Sequence, residues 1–210
     1  MESGAEFIKA MAQLYFYYSA MNAGKSTTLL QSAHNYREQG MDVLLYTASI
    51  DNRFGQGLIK SRIGLSETAE VYDGSTNFSA SILQSISKRD DAEPRISCVL
   101  VDEAQFLTKQ QVNELAQVVD EMSLPVLCFG LRTDFQGETF PGSARLLAIA
   151  DKLKELKAVC VCGRKATMTV RVNEDGKVLA AGSQVQIGGN ERYESKCRLH
   201  HRELLNAANR

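Results

Sequence analysis

Ser19-Ala20-Met21-Asn22-Ala23-Gly24-Lys25-Ser26-Thr27 is the stretch that decides how this chain is read. Before it, Leu14 to Tyr18 (LYFYY) reads as a buried strand; after it, Thr28 to His34 (TLLQSAH) reads as a helix. A strand, a tight loop and a helix that opens on Gly-Lys-Ser form a phosphate-binding P-loop. Amide groups at the helix start converge on one point, and the helix dipole adds positive character there. In that frame Lys25 reaches the β- and γ-phosphates and the Ser26 hydroxyl binds Mg²⁺. The pattern G-x-x-x-x-G-K-[ST] opens on Gly, where this chain has Ser19; a small residue still permits the turn if its φ stays negative. The plainer alternative is a helix capped by Ser19 or Asn22 beside a surface lysine, and the preceding strand weighs against it.

Composition narrows the class. The chain has 210 residues, 44% hydrophobic and 23% charged, with a net charge of −1. That suffices for a substantial core, and it gives no large cationic field for nucleic acid or an anionic membrane. No run of 18 apolar residues is present, so no membrane span is expected. The N-terminus lacks the basic, apolar and cleavage regions of a signal peptide, and residues 1–10 read as a flexible tail or added extension outside the fold. Five cysteines, three of them near a histidine, fit a reduced, cytoplasmic protein better than a disulfide scaffold.

Along the chain, the first helix stops at Gly40 and Asp42–Ala48 reads as a buried strand. Residues 51–66 read as a mobile loop over the nucleotide site, in which Asp51 and Arg53 are candidates for phosphate contacts. A short strand is expected at 70–73 and a helix at 78–87. The run Ile96 to Phe106 then reads as a central parallel strand, which Asp102 and Glu103 close beside the P-loop. A helix at 108–122, a strand at 125–130, a loop at 131–141 and a helix at 143–156 complete a core over 11–157. This alternation predicts an α/β fold with a parallel sheet. From Ala158 to the end, short strands and turn residues predict a small β module, finished by a helix from about His201.

Two clusters carry chemistry. Asp102 is placed as the carboxylate that holds Mg²⁺, and Glu103 as a proton acceptor, from water in an ATPase or from a substrate hydroxyl in a kinase. A solvated acidic pair capping the next helix is the plainer alternative. Cys160 and Cys162, with Cys197 and His200, offer three thiolates and an imidazole, the closed tetrahedral set of a structural Zn²⁺. The C-x-C spacing is tight, and His201 is the alternative fourth ligand. Cys98 and Cys128 fall inside strands and read as inert core, and His34 as an ordinary helix residue.

Five segments in this order, M-N-A-G-K-S-T at 21–27, D-N-R at 51–53, V-D-E-A-Q-F at 101–106, T-D-F-Q-G at 133–137 and I-G-G-N-E-R-Y at 187–193, join the cysteine set. Together they resemble the type II thymidine kinase family over about residues 12–205. The resemblance implies a RecA-like P-loop core and a small C-terminal zinc-binding β module with a lasso loop. It implies phosphoryl transfer from ATP to the 5′-hydroxyl of thymidine. Ser19, Ala20, Met21, Asn22, Ala23, Gly24, Lys25 and Ser26 would cradle the phosphates, with Asp102, Glu103, Ala104 and Gln105 completing the nucleotide site. Asp51 and Arg53 match phosphate-side residues, Glu103 the proton acceptor, and Phe135 the aromatic residue against thymine. Gln184, Val185, Gln186, Ile187 and Gly188 match the lasso segment on the base edge, and Tyr193 a substrate-contacting tyrosine. Met21, Phe106 and Leu131 would line the apolar wall. The family usually has Gly in place of Ser19 and C-x-x-C at the first metal pair. A homotetramer and feedback inhibition by thymidine triphosphate (dTTP) are further implications of the resemblance.

Two other classes compete. A RecA-like ATPase acting on nucleic acid would use the zinc module as a DNA-contacting ribbon, and D-E-A-Q superficially resembles a helicase motif. Near-neutral charge and the lack of a basic stretch interleaved with aromatics count against it. A regulatory nucleotide-binding module without chemistry would have no use for Glu103.

Overall fold

The computed structural model describes residues 12–90, 93–185 and 193–210. Six parallel strands form the central sheet: β1 (Leu14–Ser19), β2 (Asp42–Ala48), β5 (Glu70–Tyr72), β6 (Ile96–Val101), β7 (Val126–Leu131) and β8 (Lys152–Glu155), in the order β5-β2-β6-β7-β1-β8. Side chains alternate between the two faces along each strand. On one face Phe16, Tyr46, Val99, Val101 and Cys128 pack with Ile82, Leu115, Val118 and Leu146. These last four belong to helices α2 (Phe78–Ser87), α3 (Lys109–Met122) and α4 (Pro141–Ile149). On the other face Val43, Leu45, Cys98, Leu100, Leu127 and Phe129 meet Leu29, Leu30 and Ala33 of α1 (Lys25–Glu38). Burial on both faces explains why these strands read as nearly continuous apolar runs.

Two segments of the core differ from the sequence expectation. The segment 51–66 was expected as a loop, but it carries strand β3 (Leu58–Lys60), paired antiparallel with β4 (Ser66–Thr68). Ile59 pins this hairpin against the α1 face. The helix expected over 143–156 ends at Ile149, and β8 follows at once. Asp151 Oδ2 accepts the Leu14 N–H at 2.7 Å, which turns the chain, and Leu156 N–H donates to the Tyr18 carbonyl. Lys-Leu-Lys-Glu is thus a largely exposed edge strand, whose charges suit an edge. Within the sheet, β7 lies between β6 and β1.

The chain then builds two small antiparallel sheets. β9 (Ala158–Val159) pairs with β10 (Lys165–Ala166). β11 (Met168–Val172) is flanked by β12 (Val178–Leu179) and β13 (Tyr193–Lys196). Helix α5 (Arg198–Ala208) begins one turn earlier than expected, with Cys197 at its N-cap. No described helix is long and apolar enough to cross a membrane.

Candidate active site and metal centre

The P-loop leaves β1 at Ser19 and enters α1 at Lys25. Gly24, at φ 80°, takes the left-handed turn that brings the chain into the helix, a conformation cheap only for glycine. Lys25 is buried, and its Nζ donates to Ser19 Oγ and the Ala20 carbonyl, both at 3.1 Å. Burial lowers its pKa, while the charges of Glu103 and Asp102 act the other way. Ser19 and Ala20 lie beneath the loop and line neither cleft described below. In the protein alone, Ser19 therefore acts as a support for the lysine.

Ser26 Oγ donates to Asp102 Oδ2 at 3.1 Å, so the end of β6 reaches the start of α1 despite the intervening strand. Gly130 of β7 leaves room for the turn that follows the acidic pair: a Cβ there would stand 2.9 Å from the Gln105 backbone nitrogen. Burial, with the neighbouring Glu103 carboxylate, raises the Asp102 pKa to about 7. A Ser hydroxyl and a carboxylate are hard oxygen donors of the kind Mg²⁺ takes.

Glu103 sits at φ 53°, a left-handed conformation uncommon for a residue with a side chain. Its Oε1 accepts from Arg53 Nη2 at 2.8 Å, and its Oε2 accepts from Gln105 Nε2. Arg53 also grips Asp51, through Nε at 2.6 Å and Nη2 at 2.7 Å. These contacts, led by the hydrogen bond to Asp51, hold the Arg53 pKa above its ordinary value.

Two clefts meet here. The first is lined by Met21, Phe106, Leu131, Phe135 and Phe140 together with Asp51, Arg53, Glu103 and Gln105. Gln184, Val185 and Tyr193 close its far side. An apolar, aromatic lining with a few converging polar groups is that of a small-molecule site. The second is lined by Met21 to Thr27 and by Arg53, Phe54, Lys60 and Arg62. Met21, Arg53, Glu103 and Leu131 line both. Ala104 is fully buried under the turn and faces neither. Gln186, Ile187 and Gly188 lie outside the described residues.

The C-terminal module grips the P-loop directly. Met21 N–H donates to Thr169 Oγ1 at 3.2 Å, Ser195 Oγ donates to the Met21 carbonyl, and Asn22 Nδ2 reaches the Tyr193 carbonyl at 3.4 Å. Thr169, Phe140, Thr133 and Asp134 line the first cleft, and Lys60 and Arg62 the second, without having been singled out in the sequence. Thr133 and Asp134 stood inside a motif from which only Phe135 was drawn. Two basic residues two positions apart, Lys60 and Arg62, were the signal available in the sequence.

Cys160, Cys162, Cys197 and His200 place their ligand atoms within 4.8 Å of one another. Cys162 Sγ and Cys197 Sγ are 3.8 Å apart, and Cys160 Sγ lies 3.3 Å from His200 Nδ1. Tetrahedral ligands at Zn–S of ~2.3 Å stand about 3.8 Å apart, so the set fits zinc. Backbone N–H groups around the turn, that of Cys162 foremost, lower the Cys160 thiol to about 6, which favours the ligating thiolate. His201 is not the fourth ligand; it is buried, with Nε2 2.8 Å from the Phe135 carbonyl. Cys98 and Cys128 are buried in the sheet, and His34 pairs on the surface with Glu38.

A parallel sheet with a P-loop after its β1 strand, an acidic pair at the β6 end and an adjoining aromatic cleft define a nucleotide-dependent phosphoryl-transfer protein. The family model described as Thymidine kinase matches residues 12–201. The thymidine kinase of Yersinia pseudotuberculosis is 61% identical over 198 residues, covering 94% of this chain and 98% of the relative. That of Shewanella oneidensis is 59% identical over 195 residues (93% and 99%), and that of Haemophilus influenzae 58% over 193 (92% and 97%). The chain belongs to the thymidine kinase family.

Proposed function

We propose that this chain transfers the γ-phosphoryl group of ATP to the 5′-hydroxyl of thymidine, giving thymidine monophosphate and ADP. The observation that carries the reading is the junction of the two clefts at Glu103. The cleft along the P-loop and the aromatic-lined cleft share that carboxylate.

In this reading the second cleft takes the triphosphate, with the amides of 21–26 and the Lys25 charge around it. Ser26 and Asp102 would hold Mg²⁺, which neutralises charge on the β- and γ-phosphates when bound. Thymine lies among Phe135, Phe106, Phe140 and Leu131, and its edge meets the backbone of 184–188. Backbone groups suit a base with few polar atoms, because they read its edge without a charged side chain. Glu103 accepts the proton of the 5′-hydroxyl as the oxygen attacks phosphorus, while Arg53 and Gln105 fix the carboxylate's direction. Closure over the bound substrates would exclude water from the transfer.

The four-ligand Zn²⁺ is structural: with every position taken by protein, none is left for a reacting water. It pins the module that carries Gln184, Val185 and Tyr193. The five cysteines form no disulfide, which fits a reducing cytoplasm. dTTP joins thymine to a triphosphate, so it can occupy both clefts at once, which supports feedback inhibition. A homotetramer follows the family resemblance.

The test is ADP release by the purified protein with ATP and Mg²⁺, with and without thymidine, and with single-stranded DNA in parallel. Stimulation by thymidine alone, with thymidine monophosphate as product, is expected. Stimulation by DNA and not by thymidine overturns the reading.

A further inference from the structure

Arg171 lies on β11, 3% exposed, and no carboxylate pairs with it among the described residues. Burying a guanidinium is expensive unless its donors are satisfied, and a hydrophobic residue could fill the same volume. Its contacts explain why a charge stands there. Nη1 donates to the Ser183 carbonyl at 2.9 Å and Nη2 to the Ala181 carbonyl at 3.1 Å, while Nε has no described partner. The guanidinium lies 4.0 Å from the centre of the Phe135 ring. Between the two carbonyls, Gly182 passes so close that a Cβ would fall 2.1 Å from Nη2, at a φ of 134°.

The register makes this the neck of a loop. Arg171 is the cross-strand partner of Leu179 on β12 and of Tyr193 on β13. Both ends of the segment that carries Gln184 and Val185 therefore return to the strand position of this arginine. One residue beyond the clamp, Gln184 Nε2 donates to Asp134 Oδ2 at 3.0 Å, beside Phe135. On its carbonyl side Phe135 is fixed by His201.

We infer that Arg171 is a positioning residue for thymidine: its fork holds the root of the 181–185 segment against the Phe135 wall, so that both sides of the nucleoside cleft are set by one side chain. It does not itself line the cleft. The inference rests on the thymidine kinase reading above. Each charge-assisted bond to a carbonyl is a strong one, and the two are made in a site shielded from water. Loss of both thus falls on thymidine recognition and leaves the phosphate loop intact. Lysine keeps the charge but has neither the two-pronged fork nor the planar face.

The experiment compares wild type with Arg171→Met, Arg171→Lys and Gly182→Ala. Steady-state kinetics, direct thymidine binding and zinc content are measured for each folded protein. Expected for all three is a thymidine KM raised about ten- to hundredfold. Turnover at saturating thymidine and the KM for ATP should stay within about threefold, and zinc at the wild-type level. Gly182→Ala pushes on the Arg171 fork while residue 171 stays an arginine, so it should share the phenotype even if Arg171→Met folds poorly. A folded Arg171→Met protein with wild-type thymidine KM overturns the inference, as does full rescue by Arg171→Lys. Equal losses in turnover and in both KM values would show a merely structural role and overturn it too. Wild-type protein without thymidine-dependent turnover would instead refute the parent reading.

Discussion

Replacing Glu103 by Gln tests the proposed proton acceptor, and the surroundings of Glu103 fix how large each effect should be. The carboxylate accepts two different donors, Arg53 Nη2 on Oε1 and Gln105 Nε2 on Oε2. Gln105 cannot turn over without loss, because its Oε1 accepts the Leu131 N–H at 3.0 Å. A glutamine at 103 has one acceptor oxygen. If that oxygen stays with Arg53, its NH₂ group faces the NH₂ of Gln105, and one donor goes unpaired. That costs about 1–2 kcal/mol, partly offset because Asp102 loses a charged neighbour. For a chain of this length the net should lower Tm by about 2–4 °C.

The kinetic effect should be of another order. Loss of a positioned base lowers kcat by about 10²–10⁴, equivalent to ~2.7–5.5 kcal/mol in the barrier. Arg53 keeps Asp51, so its charge is not orphaned, and the P-loop amides are untouched. The KM for ATP should therefore stay within about threefold. ADP release at saturating ATP and thymidine, beside a thermal melt, measures both quantities. A variant that keeps kcat within about tenfold of wild type removes Glu103 as the base. A fall in kcat accompanied by a Tm loss well beyond about 4 °C means that the mutation damaged the fold, and the inference from kcat fails.

Tyr72→Phe removes the hydroxyl that donates to the Glu103 carbonyl at 2.8 Å and lies 3.3 Å from that of Asp102. The Glu103 carbonyl keeps the Phe106 N–H, so the stability loss should be only about 1 kcal/mol, with kcat down about three- to tenfold; unchanged kcat would show that Glu103 needs no such support. Stripping zinc with a chelator, or Cys197→Ser, should raise the thymidine KM much more than the ATP KM, and a folded zinc-free sample with native thymidine affinity would refute the pinning role. Lys60→Ala with Arg62→Ala should raise the ATP KM about three- to thirtyfold, less at high salt, and leave the thymidine KM alone; an unchanged ATP KM would take the hairpin out of the phosphate site.

The core strands and the P-loop were legible because their signals are contiguous: apolar runs for strands buried on both faces, and a fixed order of small, basic and hydroxyl residues for the loop. The metal set was legible for the same reason, since two short ligand pairs needed only to be brought together. What escaped was set by tertiary pairing. Leu58–Lys60 and Lys152–Glu155 carry one or two apolar residues each, too few to show a period of two. The alternation of Ser143 to Leu156 suits a helix until the Asp151 bond to Leu14 turns it, across 137 residues of sequence. The insertion of β7 between β1 and β6 is invisible locally, because strand order leaves no mark on the strand itself. Thr169 becomes part of the site only through Met21, 148 residues away.

The adjacent acids show how local geometry divides two tasks between neighbours. If β6 continued straight, Asp102 and Glu103 would point to opposite faces of the sheet, and only one could serve the P-loop. The left-handed turn at Glu103 leads instead into the 3₁₀ helix Ala104–Phe106. Asp102 then aims at Ser26, and Glu103 at Arg53, over the junction of the clefts. Such a conformation stores about 1–3 kcal/mol in a residue with a side chain. The surroundings supply what holds it: the Tyr72 hydroxyl on the Glu103 carbonyl, the Asp102 carboxylate on the Glu103 N–H at 3.0 Å, and the Phe106 N–H closing the turn. Asp102 thus both faces the P-loop hydroxyl and steadies its neighbour. Asp102→Asn should therefore disturb Glu103 as well as Ser26, and a double mutant with Glu103→Gln should lose less than the sum of the two single losses in log kcat; strict additivity would show that the two carboxylates act independently.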